Sequence, residues 1–150
     1  WPAANKIRRD HPISKIDIFT GWIVDGITVT YDLADGTQKA VQHGSKTVTA
    51  TVTLNAHYLL FADTEVIADV SGMAGYHNYY KKALVCTISF NILDTKTGIM
   101  RVAGPYGNSD KANAGQPYHF SGPFVFAGFA DNAAEHGMSP NFLRHSREYS

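Results

Sequence analysis

An all-β domain is the fold class the sequence predicts, and three features of the chain predict it. Apolar and polar residues alternate with period two in one short run after another, as strands with one buried face require. Turn-forming residues break those runs at roughly 8–12-residue intervals, the spacing of sandwiches, barrels and prisms. No segment sustains a helical period between caps; Ala133-Ala134-Glu135-His136 allows one turn at most.

Residues 1–12 form a polar N-terminal arm carrying Lys6, Arg8 and Arg9. Ile16 and Ile18 then alternate with Lys15 and Asp17, and Gly26-Ile27-Thr28-Val29-Thr30-Tyr31 gives a second strand. Asp35-Gly36 after it is a strong hairpin signal, because glycine takes the positive φ that such a turn demands. Val48, Ala50, Val52 and Leu54 alternate with Thr47, Thr49, Thr51 and Thr53, a strand with one apolar and one threonine face. A short strand over residues 66–70 leads into residues 72–82, which read as a loop from their Gly-Met-Ala-Gly-Tyr-His-Asn-Tyr-Tyr-Lys-Lys composition. Residues 83–93 make the longest strand; Asp94-Thr95-Lys96-Thr97-Gly98 closes it, and residues 99–103 pair back as a hairpin. Phe120 and residues 124–129 supply the last apolar strands. No linker divides the chain, so residues 1–150 read as a single domain.

Composition narrows the function. Lys and Arg total 13, as do Asp and Glu, so the net charge of +0 speaks against a nucleic-acid partner or an anionic membrane surface. No apolar run approaches the ~20 residues of a bilayer-spanning helix, and no membrane insertion is expected. Cys86 is the single cysteine, so no internal disulfide forms; within Ala83-Leu84-Val85-Cys86-Thr87-Ile88 it reads as a buried, inert thiol. A lack of disulfides suits a cytoplasmic protein and equally a secreted one with a sizeable core.

Catalytic and metal chemistry find little support. Of seven histidines, His43, His57, His77, His119 and His145 lie far apart, and none falls into a zinc-binding spacing. A Gly-x-Ser-x-Gly elbow, a phosphate loop and a paired-carboxylate motif are all missing, so the chain reads as a non-enzyme without catalytic residues, metal or cofactor. Asp131, Asn132, Glu135 and His136 lack the dense spacing of a calcium loop and read as a solvated loop.

Five motifs occur in order between roughly residues 13 and 130. They are Ile16-Asp17-Ile18-Phe19-Thr20-Gly21-Trp22-Ile23-Val24-Asp25-Gly26-Ile27-Thr28-Val29-Thr30-Tyr31; His43-Gly44-Ser45; Asp63-Thr64-Glu65-Val66-Ile67-Ala68-Asp69-Val70-Ser71-Gly72; the long strand at residues 83–92 followed by a corner at Gly104-Pro105-Tyr106-Gly107; and Phe124-Val125-Phe126-Ala127-Gly128-Phe129. Together they resemble the jacalin-related lectins. The resemblance implies a β-prism of three antiparallel four-stranded sheets with pseudo-threefold symmetry. It implies a carbohydrate-binding protein that recognises a glycan or glycoprotein without catalysis or cofactor, and it leaves room for a homo-oligomer.

The resemblance also implies where a sugar would sit. Family lectins hold it between a glycine-rich N-terminal loop and a C-terminal loop of pattern Gly-x-x-x-Asp, beside a recognition loop. That points to Asn141, Phe142, Leu143 and Arg144, and to Tyr76, His77, Asn78, Tyr79 and Tyr80 at the recognition loop. Tyrosine rings offer apolar faces to the C–H side of a pyranose, while Asn and His serve its rim; alternatively, one or two of the tyrosines fold back onto the core. At both ends the sequence departs from the family pattern: no Gly-Gly pair precedes the first strand, and Arg144 stands in the Asp position. A carboxylate accepts hydroxyl protons and a guanidinium only donates, so Arg144 suits an acidic or otherwise non-standard sugar unless it faces solvent at the chain end. The alternative function is a β-prism protein-interaction or toxin-associated scaffold that has lost the usual sugar pocket.

Overall fold

The structure is a computed structural model and describes residues 4–44, 55–107 and 115–121. Eight strands run through the described residues. They are β1 (Ile13–Thr20), β2 (Val24–Asp32), β3 (Gln38–Gly44), β4 (Asn55–Leu60), β5 (Glu65–His77), β6 (Lys82–Asp94), β7 (Met100–Gly107) and β8 (Gln116–Ser121). They form two four-stranded antiparallel sheets, ordered β3-β2-β1-β4 and β7-β6-β5-β8. Each sheet is a Greek key: three hairpin-linked strands, with a fourth returning beside the first. The second key repeats the connectivity of the first strand for strand, so the β1–β2 tip and the β5–β6 tip are equivalent positions. This is the all-β prism architecture expected from the sequence, with two of its sheets in view.

Side-chain alternation explains the closure. In β1, Ile16 and Ile18 are fully buried, while Lys15 and the half-buried Asp17 lie on the opposite face of the strand and pair at 3.1 Å. Tyr31, Phe90, Ile27, Ile88 and Ile92 are likewise fully buried and belong to one continuous core cluster. Burying each such side chain contributes about 1.5–3 kcal/mol. Cys86 is fully buried, as its apolar surroundings predict.

The expected turns form where the sequence places them. Gly36 has a φ of 87°, and Asp35 Oδ1 accepts the Thr37 N–H at 2.9 Å. At the β6–β7 turn Gly98 has a φ of 75°, and Asp94 Oδ1 accepts the Lys96 N–H at 2.9 Å.

Three readings need correction. Residues 72–77 are not loop but the second half of β5, and only the turn at residues 78–81 separates it from β6. The glycines that suggested a loop serve close strand approach instead: a Cβ at Gly75 would lie 2.9 Å from Gly115 Cα. Gly104-Pro105-Tyr106-Gly107, expected as a corner after the long strand, lies within β7, with a cis Gly104–Pro105 peptide. Finally, Asn55–Leu60, assigned to no strand by its pattern, forms the edge strand β4. The threonine-alternating strand at residues 47–54 and the apolar strand at residues 124–129 lie outside the described residues, as does the cluster Asp131, Asn132, Glu135 and His136.

The polar segment ahead of β1 is tied down at two points. Ile7 is buried and bridges to Leu33, while Lys6, Arg8 and Arg9 stay exposed. His11 is also buried, with Nδ1 2.6 Å from Asp32 Oδ2 and Nε2 donating to the Ala62 carbonyl at 2.8 Å. Near the same end, Arg101 of β7 donates to both Glu65 oxygens, at 2.7 and 3.1 Å, and to the Leu60 carbonyl at 2.9 Å. The Arg101 guanidinium thereby holds the Glu65 carboxyl below its usual range and links the two sheets.

His43, near the end of β3, is buried, and loss of hydration lowers its imidazole to about 4. In the unfolded chain it takes up a proton near the ordinary histidine value of 6.5. Its contribution to stability is therefore complete above that pH and lost as pH falls toward the folded value. We expect on the order of 2 kcal/mol to disappear over this window. Urea midpoints across the range in the parent and in His43→Gln check this; a slope unchanged in the variant assigns the acid sensitivity to other groups.

Candidate functional site

The tyrosine-rich segment sits on the tip that joins β5 to β6. β5 delivers Tyr76 and His77, and the chain reverses through Asn78, Tyr79, Tyr80 and Lys81. Lys81 adopts a left-handed φ of 56°, which lets its N–H reach back to the His77 carbonyl at 2.7 Å. His77 itself is buried, at 3% exposure. Its Nδ1 accepts the Tyr80 N–H at 3.4 Å, and its ring meets the Tyr80 ring with centroids 4.8 Å apart.

The five residues thus divide into a frame and a face. His77 and the half-buried Tyr80 form the frame. Desolvation raises the Tyr80 phenol above its ordinary range, and the nearby Asp25 carboxylate and Tyr79 add to the shift. Tyr76 and Tyr79 form the face, 58% and 69% exposed, with Asn78 exposed between them. Tyr79 stands edge-on to Tyr80, their centroids 5.0 Å apart at 88°. Of the two fates open to the tyrosines, Tyr80 turns inward and Tyr76 and Tyr79 remain outside.

A residue that pattern reading left unassigned joins this face. Trp22 lies between β1 and β2, 63% exposed, with its ring centroid 5.6 Å from that of Tyr79. Its neighbours turn inward: Ile23 is buried, and the Gly21 N–H donates to the Ile23 carbonyl at 3.0 Å. Asp25, at the start of β2, is buried close to Tyr80. The signal was present in the sequence as a tryptophan inside a glycine turn, where packing asks for no large ring.

Among the described residues no three histidine, cysteine or carboxylate side chains gather to hold a metal. The tip can offer aromatic faces, phenol hydroxyls and an amide. Asn141, Phe142, Leu143 and Arg144 lie outside the described residues.

No family model and no curated protein matches the sequence. Solved structures do match, and all are similar in fold. Against wild-type Malaysian banana lectin the TM-score is 0.56 at 19% identity, covering 79% of this chain and 71% of that one. A mannose-binding jacalin-related lectin from Ananas comosus gives 0.55 at 22% identity, covering 76% and 69%. Frutalin from Artocarpus incisa, solved in complex with galactose, gives 0.56 at 20% identity, covering 77% of each chain. The chain therefore has the β-prism fold of the jacalin-related lectins.

Proposed function

We propose that the protein is a carbohydrate-binding protein that holds a glycan or glycoprotein at the tyrosine-rich tip and performs no chemistry on it. One observation carries the reading. Tyr76 and Tyr79 stand exposed on a tip whose underside is fixed by the buried His77 and its contacts with Tyr80. Exposed apolar rings lose free energy to water unless a partner covers them, and a frame that keeps them outward preorganises them for one. A pyranose fits that surface, laying its C–H face on a ring while its hydroxyls reach phenol and amide groups at the edge.

Support also comes from the fold, since similar prisms were solved with galactose, with the T-antigen and with a galactosyl disaccharide. Asn141, Phe142, Leu143 and Arg144 complete the site in this proposal. Arg144, where a carboxylate is usual, turns preference toward a sugar bearing an acidic group.

A glycan array that includes sialylated, uronic and sulfated sugars beside neutral ones tests both levels. Retention that free sugar reverses supports the lectin reading, and preference for acidic glycans supports the role of Arg144. Tyr79→Ala is expected to weaken binding about tenfold while leaving the melting temperature within about 2 °C of the parent. Binding unchanged in this variant, or no glycan retained at all, overturns the site.

A further inference from the structure

The two Greek keys place equivalent hairpin tips at one end of the molecule, and each tip carries an exposed aromatic ring. The β1–β2 tip presents Trp22 and the β5–β6 tip presents Tyr79, 63% and 69% exposed although their centroids are only 5.6 Å apart. The planes of the two rings cross at 70°. A pyranose lying flat on one ring consequently stands nearly edge-on to the other. One sugar cannot cover both faces, but two linked sugars can.

We infer that Trp22 is a second binding ring, and that the tip takes an oligosaccharide whose successive pyranoses rest on Tyr79 and Trp22. The inference rests on the proposed lectin function and adds the length of the ligand and a residue outside the tyrosine segment. Trp22 is not needed for packing in this role. The buried side chain of its loop is that of Ile23, while the indole keeps 63% of its surface open to a ligand. A flexible peptide is the less suitable occupant, because crossed rings with polar groups at their edges match rigid rings that carry hydroxyls on the rim.

Titration of the parent, Trp22→Ala and Tyr79→Ala with the best disaccharide from an array and with its terminal monosaccharide separates the roles. The parent is expected to bind the disaccharide about tenfold more tightly than the monosaccharide. Trp22→Ala should erase that advantage and leave monosaccharide affinity within about twofold, whereas Tyr79→Ala should weaken both. The sequence holds two tryptophans, so Trp1→Phe leaves Trp22 as the single tryptophan; its selectively excited fluorescence should shift on adding disaccharide and stay constant with monosaccharide. A disaccharide advantage that survives in Trp22→Ala overturns the inference while the lectin reading stands. A parent that binds neither sugar, nor any glycan on the array, overturns both.

Discussion

Gly72→Ala is expected to cost at least about 3 kcal/mol, enough to unfold a domain of ordinary stability at modest temperature. Gly72 lies in the middle of β5, flanked by Ile88 of β6 and Tyr118 of β8. A Cβ there would run into the Thr87 carbonyl oxygen and the Tyr118 hydroxyl. Neither can step aside at low cost. The Thr87 carbonyl is backbone inside the sheet, and the Tyr118 hydroxyl donates to that same oxygen at 2.6 Å. Tyr118 is half-buried against the core, and burial raises its phenol far above the ordinary range, so the hydroxyl keeps its proton at any working pH. The methyl group must therefore either break this bond or push β8 off the edge of β5.

Urea unfolding of Gly72→Ala checks the cost, and Tyr118→Phe serves as the control. Removing only the hydroxyl should cost about 1 kcal/mol, because the ring still packs. If Gly72→Ala melts with the parent, the close approach of β5, β6 and β8 is wrong. If Tyr118→Phe loses as much as Gly72→Ala, the hydrogen bond outweighs the steric term.

Gly72 also shows where sequence reading stops. The strands at β1, β2 and β6 were legible because their alternating isoleucines, valines and phenylalanines have one physical explanation, a buried face. The turns at Asp35-Gly36 and at Asp94 to Gly98 were legible because aspartate and glycine do specific backbone work there. Gly72 and Gly75 were misread because a glycine that opens a turn and a glycine that admits a neighbouring strand look alike in one dimension. The site was half legible for a related reason. Clustered tyrosines announced a surface, but burial separates His77 from Tyr76 and Tyr79, and burial depends on pairing with strands far away. Trp22 is more than fifty residues from Tyr79 in sequence, and only the repeat of the Greek key joins them.

His11→Ala is expected to lower stability by about 2–4 kcal/mol, a large effect for a residue outside every strand. The ring is 3% exposed and touches two separate parts of the fold. Nδ1 meets the Asp32 carboxylate at the end of β2, and Nε2 donates to the Ala62 carbonyl between β4 and β5. Alanine removes both contacts and leaves the Asp32 side chain, itself only 14% exposed, with the Gln38 amide as its remaining side-chain donor among the described residues. A carboxylate that loses a partner without gaining water bears most of the cost. The double variant with Asp32→Ala separates this from lost packing. If the His11–Asp32 hydrogen bond dominates, the two substitutions together should cost about 1–3 kcal/mol less than the sum of the single ones. Additive costs would instead make His11 a packing residue that fills the gap between the N-terminal segment and the core.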